Sequence, residues 1–172
     1  MNKGLRYFSY FLVALVLLLG CIVVFVKPQR ALSAAIMRDC VDLVRSKASG
    51  SPPLNVVSAA AIQSGQNRRK LEDFNRATQS VIERGDMIPS EPEVLVEFRN
   101  SLGNATALCS YDVSMYPKEG VYGSVRLKDL QIGVDGLSPV EKAMVRTFSV
   151  GYIDRLLSVI PIFGTEQKFM LD

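Results

Sequence analysis

Residues 8–26, FSYFLVALVLLLGCIVVFV, carry no charged side chain. At about 1.5 Å per residue such a run makes a helix ~28 Å long, close to the ~30 Å hydrocarbon core of a bilayer. It predicts one transmembrane helix over 8–27 behind a short N-terminal tail, 1–7. A membrane-proximal amphipathic helix follows over 28–50, then one extramembrane domain over 51–172. Lys3 and Arg6 flank the run on one side, and Lys27, Arg30, Arg38, Arg45 and Lys47 follow on the other. A plain count of charges would put the domain in the cytoplasm. A short basic N-tail normally stays inside, however, and long domains translocate largely regardless of charge. The reading is therefore a single-pass protein of a bacterial inner membrane with a periplasmic C-terminal domain.

Within the run, Leu17-Leu18-Leu19-Gly20-Cys21 resembles a bacterial lipobox, in which the cysteine is lipidated and the preceding segment removed. That resemblance makes Cys21 a candidate lipidation site. The sequence departs from the pattern downstream, where Ile22 to Val26 stays apolar in place of a polar tether. An uncleaved helix buries those five residues, with Cys21 as a small apolar side chain. A cleaved secretory signal has an apolar core of only ~7–15 residues.

Composition excludes several chemistries. The chain has no histidine and no tryptophan, and its net charge is +3. Without histidine, Ser-His-Asp and Cys-His catalysis, His-ligated haem and most zinc sites are removed together. Neither a Gly-rich phosphate loop nor EF-hand spacing occurs. Nucleic-acid binding would need a dense basic face interleaved with aromatics, which the chain lacks. No cofactor and no catalytic residue is expected. Cys40 and Cys109 stand outside the apolar run and could form one disulfide closing a long loop; two buried free thiols are the other reading.

Periodicity outlines an α+β domain. Leu32, Ile36, Cys40 and Val44 recur at four-residue steps over Ala31 to Lys47, predicting an amphipathic helix that ends at Gly50-Ser51-Pro52-Pro53. Residues 54–67 fit either an interrupted helix or a short strand and turn. Arg68 to Glu83 reads as a helix with Leu71, Phe74, Ala77 and Val81 on its apolar face. Period-two alternation then marks three strands. The first carries Val94, Val96 and Phe98 on one face, and the second Ala107, Cys109, Tyr111 and Val113. The third, Val121 to Val134, changes parity near Lys128-Asp129, which predicts a bulge. Together they make an antiparallel meander of three or more strands packed against amphipathic helices. Ser138-Pro139-Val140-Glu141 fits a capping box opening a last helix, with Val140, Met144, Phe148, Tyr152 and Leu156 as its stripe.

Candidate sites follow from surplus surface. Phe148, Tyr152, Leu156, Ile160 and Phe163 are candidates for docking a partner, because the last helix and tail are more apolar than one sheet face needs. Arg68, Arg69 and Lys70 could contact lipid headgroups or an anion. Glu91, Glu93 and Glu97 could do acid–base work, although Glu93 and Glu97 share the polar parity of a strand. Tyr111, Tyr116 and Tyr122 could line a binding face. Asn104-Ala105-Thr106 fits a glycosylation acceptor and means something only in a eukaryotic secretory pathway. The expected function is a non-enzymatic accessory, scaffold or assembly subunit of a larger membrane complex, with the bilayer and other membrane subunits as partners and no nucleic acid. The alternative is a tethered module binding a lipid or small ligand, and a third is a hydrolase or transferase using carboxylates such as Glu97 or Asp112.

Overall fold

The computed structural model describes residues 3–47, 55–63, 70–100, 103–116, 118, 122–133, 135–137, 147–162 and 164–169. Helix α1 (Lys3–Phe25) leads into helix α2 (Pro28–Lys47). Among the described residues no helix is long and apolar enough to cross a membrane. This corrects the expected transmembrane span over 8–27, and with it the single-pass inner-membrane placement with a periplasmic domain. The described side chains of α1 over residues 7–21 are instead exposed, Tyr7 at 73% and Leu17 at 65% among them.

Helix α2 organises the domain. Pro28 opens it, where a missing N–H is harmless and φ is already helical. The Lys27 carbonyl accepts from the amides of Arg30 and Ala31. Arg45 and Lys47 end it, where cations complement the negative end of the helix dipole. Between these ends Leu32, Ile36, Met37, Cys40, Val41 and Val44 are buried. Ser33, also buried, donates to the Gln29 carbonyl one turn back at 2.7 Å, so its hydroxyl is satisfied within the helix.

The sheet beneath α2 contains eight strands among the described residues. In chain order they are β1 (Asn55–Gln63), β2 (Ile88–Ser90), β3 (Pro92–Asn100), β4 (Gly103–Met115), β5 (Gly123–Ile132), β6 (Asp135–Gly136), β7 (Thr147–Val150) and β8 (Glu166–Phe169). They lie in the order β6-β5-β4-β3-β1-β8, with β2 on β4 and β7 on β5. All described pairings are antiparallel except β1 with β8. Register explains the core. Ala61, Val94, Cys109 and Leu130 form one row across β1, β3, β4 and β5, and Ala59, Val96 and Ala107 sit in the next. These side chains are buried under α2, while the opposite parity is half-buried or exposed. Two irregularities keep the apolar face continuous. One lies between Val56 and Ser58 and leaves Val57 exposed. The other sits where Ser110 and Tyr111 face Asp129 and Leu127, so Lys128 is the extra residue. It falls where the parity change in the sequence put a bulge.

Three segments differ from their sequence reading. Residues 55–63, readable as helix or strand, form β1. The helix expected from Arg68 begins later: Leu71–Asp73 is a 3-10 turn, and helix α3 (Arg76–Glu83) starts behind Asn75. Asn75 caps α3 by accepting the Thr78 amide at 2.9 Å. The C-terminal helix is the largest change. Phe148 lies in strand β7, which pairs Val125 with Phe148 and Gly123 with Val150. Among the described residues of that stretch, Tyr152–Leu157 is helical, as α4. A stripe at four-residue steps also keeps even parity, so the same residues fit one face of a strand. Thr147-Phe148-Ser149-Val150 takes that option and covers the edge of β5. Gly151 then breaks the strand, its amide donating to the Asp154 carboxylate at 2.7 Å. The expected capping box at 138–141, together with Val140 and Met144, lies outside the described residues.

Arg38 fastens α4 to α2. Its guanidinium donates to the carbonyl of Leu157 and, at 2.7 Å, to that of Ile160. These acceptors sit at the C-terminal end of α4, where a cation is favoured. Arg38→Ala is expected to cost about 1 kcal/mol, because charge-assisted bonds near solvent keep only part of their strength. Hydrogen exchange should quicken at the amides of Ser158, Val159 and Ile160 and stay unchanged in the buried half of α2. Unaltered exchange in 158–160 would show that the arginine does not hold α4.

Candidate functional site

Where α2 begins, the ends of β2 and β4 and the helix α4 leave an opening of about 540 Å³. Each element contributes for a local reason. Pro28 starts α2, so Leu32 at the end of its first turn points toward the sheet and Gln29 sits at the mouth. Ile88 and Met115 oppose one another in the β2–β4 register and supply an apolar wall. Tyr116 and Tyr122 flank the segment between β4 and β5. Tyr152 and Arg155 come from one turn of α4, three residues apart and therefore on the same face.

Aromatic rings and cations converge here. The Tyr122 and Tyr152 rings meet edge-on with centroids 5.3 Å apart. The Arg155 guanidinium lies 4.3 Å from the Tyr122 centroid and 5.9 Å from that of Tyr152, within cation–π range of both. Tyr122 Oη is buried and finds no partner at hydrogen-bonding geometry among the described residues. Burial pushes its ionisation upward, Arg155 opposes that, and the nearby Tyr152 hydroxyl adds to it. Lys118, at the rim, bonds Asp86 at 2.6 Å. That contact, helped by Arg84 at 3.4 Å, holds the Asp86 carboxyl below its ordinary range against a smaller opposing effect of burial. Among the described residues, those lining the opening include the cations Lys118 and Arg155.

The other sequence candidates lie apart. Cys40 and Cys109 are joined as a disulfide between α2 and β4, with Cα atoms 6.0 Å apart. Cys21 is an exposed free thiol on α1. Of the docking candidates, Tyr152 and Ile160 are exposed, Leu156 is half-buried, and Phe148 packs against the core. Phe163 lies outside the described residues. So do Arg68 and Arg69, whereas Lys70 is exposed and its amide donates to Asp73. Glu91 pairs with Lys128 at 3.5 Å beside a small hollow of about 90 Å³. Glu93 borders the same hollow, and Glu97 accepts the Ser58 hydroxyl across the β1–β3 pair at 2.9 Å. Asn104 accepts from Arg99 at the start of β4. Tyr111 is enclosed in the core and borders that small hollow from beneath, apart from Tyr116 and Tyr122. Among the described residues, no group of three or more His, Cys, Asp or Glu side chains could hold a metal ion.

Sequence reasoning missed the opening because its walls come from four separated segments. Tyr116 and Tyr122 were legible as a possible binding face and Tyr152 as a docking candidate, but nothing in the sequence joined them to one another or to Arg155. Comparison with protein families, curated proteins and solved structures finds no match for the chain.

Proposed function

We propose that this chain is a non-enzymatic accessory or assembly subunit of a larger protein complex, joined to its partner through α1 and the adjoining apolar edge of α4. The observation that carries the reading is the exposure of α1. Phe8, Phe11, Val13, Val16, Leu17 and Leu18 are all more than half exposed and lie around the helix rather than on one stripe. A helix apolar on every side requires cover by other apolar surface. Near α1, Ile153 is 71% exposed and Ile160 is 52% exposed, so the uncovered surface extends onto the globular part. Continuous apolar surface of this kind marks protein association sites. The occupant that fits is a pair of apolar helices from a partner protein. The lack of histidine, which removes the commonest general base, also favours a structural role.

The test is purification of the tagged full-length chain from its own host in mild detergent, followed by mass spectrometry of the co-purifying proteins. A stoichiometric partner is expected. It should be lost in the double variant Val13→Asp, Leu17→Asp and kept in Glu97→Gln. A chain that purifies alone, or a partner retained by the double variant, would overturn the reading.

A further inference from the structure

We propose that β8 is an exchangeable strand, and that two copies of the chain dimerise by each laying its β8 along the β1 edge of the other. The exchange does not involve α1 and is separate from the docking surface there.

The strand is lightly held. Its described pairing is parallel, a geometry slightly weaker per residue than the antiparallel ladder. It matches Glu166 to Phe169 with Ser58 to Ala61, four residues against the nine of β1. Glu166 and Lys168 are exposed. Its apolar hold is Phe169, half-buried against the core with the Arg30 guanidinium 5.0 Å from its ring. A short turn decides which sheet the strand joins. Arg38 holds the chain at Ile160. The Thr165 amide then donates to the Ile162 carbonyl at 3.1 Å, folding the chain back so that β8 meets its own β1. Gly164 makes this turn at φ +71°, in the left-handed region. A short hinge of this kind invites exchange, because once straightened it carries the strand past its own sheet to that of a neighbour. The receiving edge has the same sequence, so every β1–β8 contact is kept. The straightened hinge also gains contacts. Glu166 lies opposite Ser58, and the same parallel register continued upstream sets Thr165 opposite Val57 and Gly164 opposite Val56. In the closed turn the register stops at Ser58, and Val57 is 44% exposed. The occupant that fits the β1 edge best is therefore β8 of a second copy, with its hinge extended.

Cross-linking of the full chain in mild detergent tests this. Ser58→Cys and Glu166→Cys are placed together in a chain carrying Cys21→Ser, which removes the exposed free thiol, and treated with a short bismaleimide. The closed form joins positions 58 and 166 within one chain, and the exchanged form joins them between chains. A denaturing gel separates the two products, and peptide mapping identifies the bridge. A covalent dimer linked from 58 to 166 is expected. Gly164→Ala should raise its ratio to the internal bridge about fivefold, because a side chain disfavours this φ. The added Cβ meets no described atom within 4 Å, so the turn alone is penalised. A Gly-Ser-Gly-Ser insertion after Gly164 should lower the ratio about fivefold, since a longer hinge returns β8 to its own sheet without strain. The double variant Val13→Asp, Leu17→Asp should leave the ratio unchanged, which separates exchange from association through α1. Internal bridges alone in both the native hinge and Gly164→Ala, or no bridge of either kind, would overturn the proposal. So would a dimer that ignores both hinge variants or is lost with the α1 variant.

Discussion

Replacing Cys40 and Cys109 together by alanine is expected to lower the free energy of unfolding by about 4 kcal/mol. The two cysteines are 69 residues apart in sequence. A bridge over so long a loop removes much of the freedom of the unfolded chain, and this entropy is the source of the stabilisation. The Cα separation of 6.0 Å lies within the ordinary range for a disulfide, so the backbone accommodates it without displacement. Its position adds to the effect. Cys109 is paired on one side with Val94 of β3 and on the other with Leu130 of β5, so the bridge ties α2 to the middle of the sheet. Both half-cystines are fully buried, and reductant should reach them only when the domain opens. Urea unfolding of the native chain and the double alanine variant measures the difference. The variant should also show a steeper denaturant dependence, because an uncrosslinked chain exposes more surface. Under denaturing, non-reducing conditions, thiol labelling should find Cys21 alone. A loss under 1 kcal/mol, or labelling of all three cysteines, would show that the bridge does not form.

The legibility of this fold follows period and distance. The β3–β5 meander was readable because Val94, Val96, Phe98, Ala107, Cys109, Tyr111 and Val113 obey a strict two-residue alternation that no helix satisfies. The buried side of α2 was readable for the converse reason. Leu32, Ile36, Cys40 and Val44 recur at four-residue steps, and the buried positions Met37 and Val41 break the even parity that one face of a strand would require. The Lys128 bulge announced itself as a change of parity. Where the two periods coincide, the sequence misleads. Val140, Met144, Phe148, Tyr152 and Leu156 are separated by multiples of both two and four, and the free edge of β5 decided that Phe148 belongs to a strand. The short helix α3 was legible as a helix but not at its start, because Asn75 is an N-cap without a capping-box partner. The apolar run at 8–26 illustrates a different limit. Hydropathy records what a segment avoids, and it cannot state what covers it. The candidate site was least legible of all. Leu32, Met115, Tyr122 and Arg155 come from α2, β4, the approach to β5 and α4, and only the folded sheet sets them around one opening.

Tyr111 carries the second large effect. It is among the largest fully buried side chains, set in the middle of β4 beneath α2. Its hydroxyl donates to the Asp39 carboxylate at 2.9 Å and lies 3.2 Å from the Ile36 carbonyl, so the sheet holds the helix by a polar contact inside the core. Tyr111→Ala is expected to cost about 3–5 kcal/mol, through lost apolar burial and the cavity left behind. Tyr111→Phe keeps the ring and should cost about 2 kcal/mol, the range for a buried hydrogen bond to a charged acceptor. The two variants separate packing from polarity. A pH series adds a readout that packing alone would not move. Burial, with the Asp39 charge and hydrogen bond acting in the same direction, pushes the Tyr111 phenol well above its ordinary value. The unfolded chain releases this proton near pH 10, while the folded chain retains it. Above about pH 10 the folded state therefore binds more protons than the unfolded state, and stability falls as pH rises, by about 1.4 kcal/mol per unit for one such group. Below that pH the contribution is fully present and flat. Native protein and Tyr111→Phe should thus run parallel from pH 7 to 9 and converge at higher pH, as the native chain alone loses this contribution. Curves that stay parallel through pH 11, or a phenylalanine variant within 0.5 kcal/mol of native, would mean that the hydroxyl is not what ties α2 to the sheet.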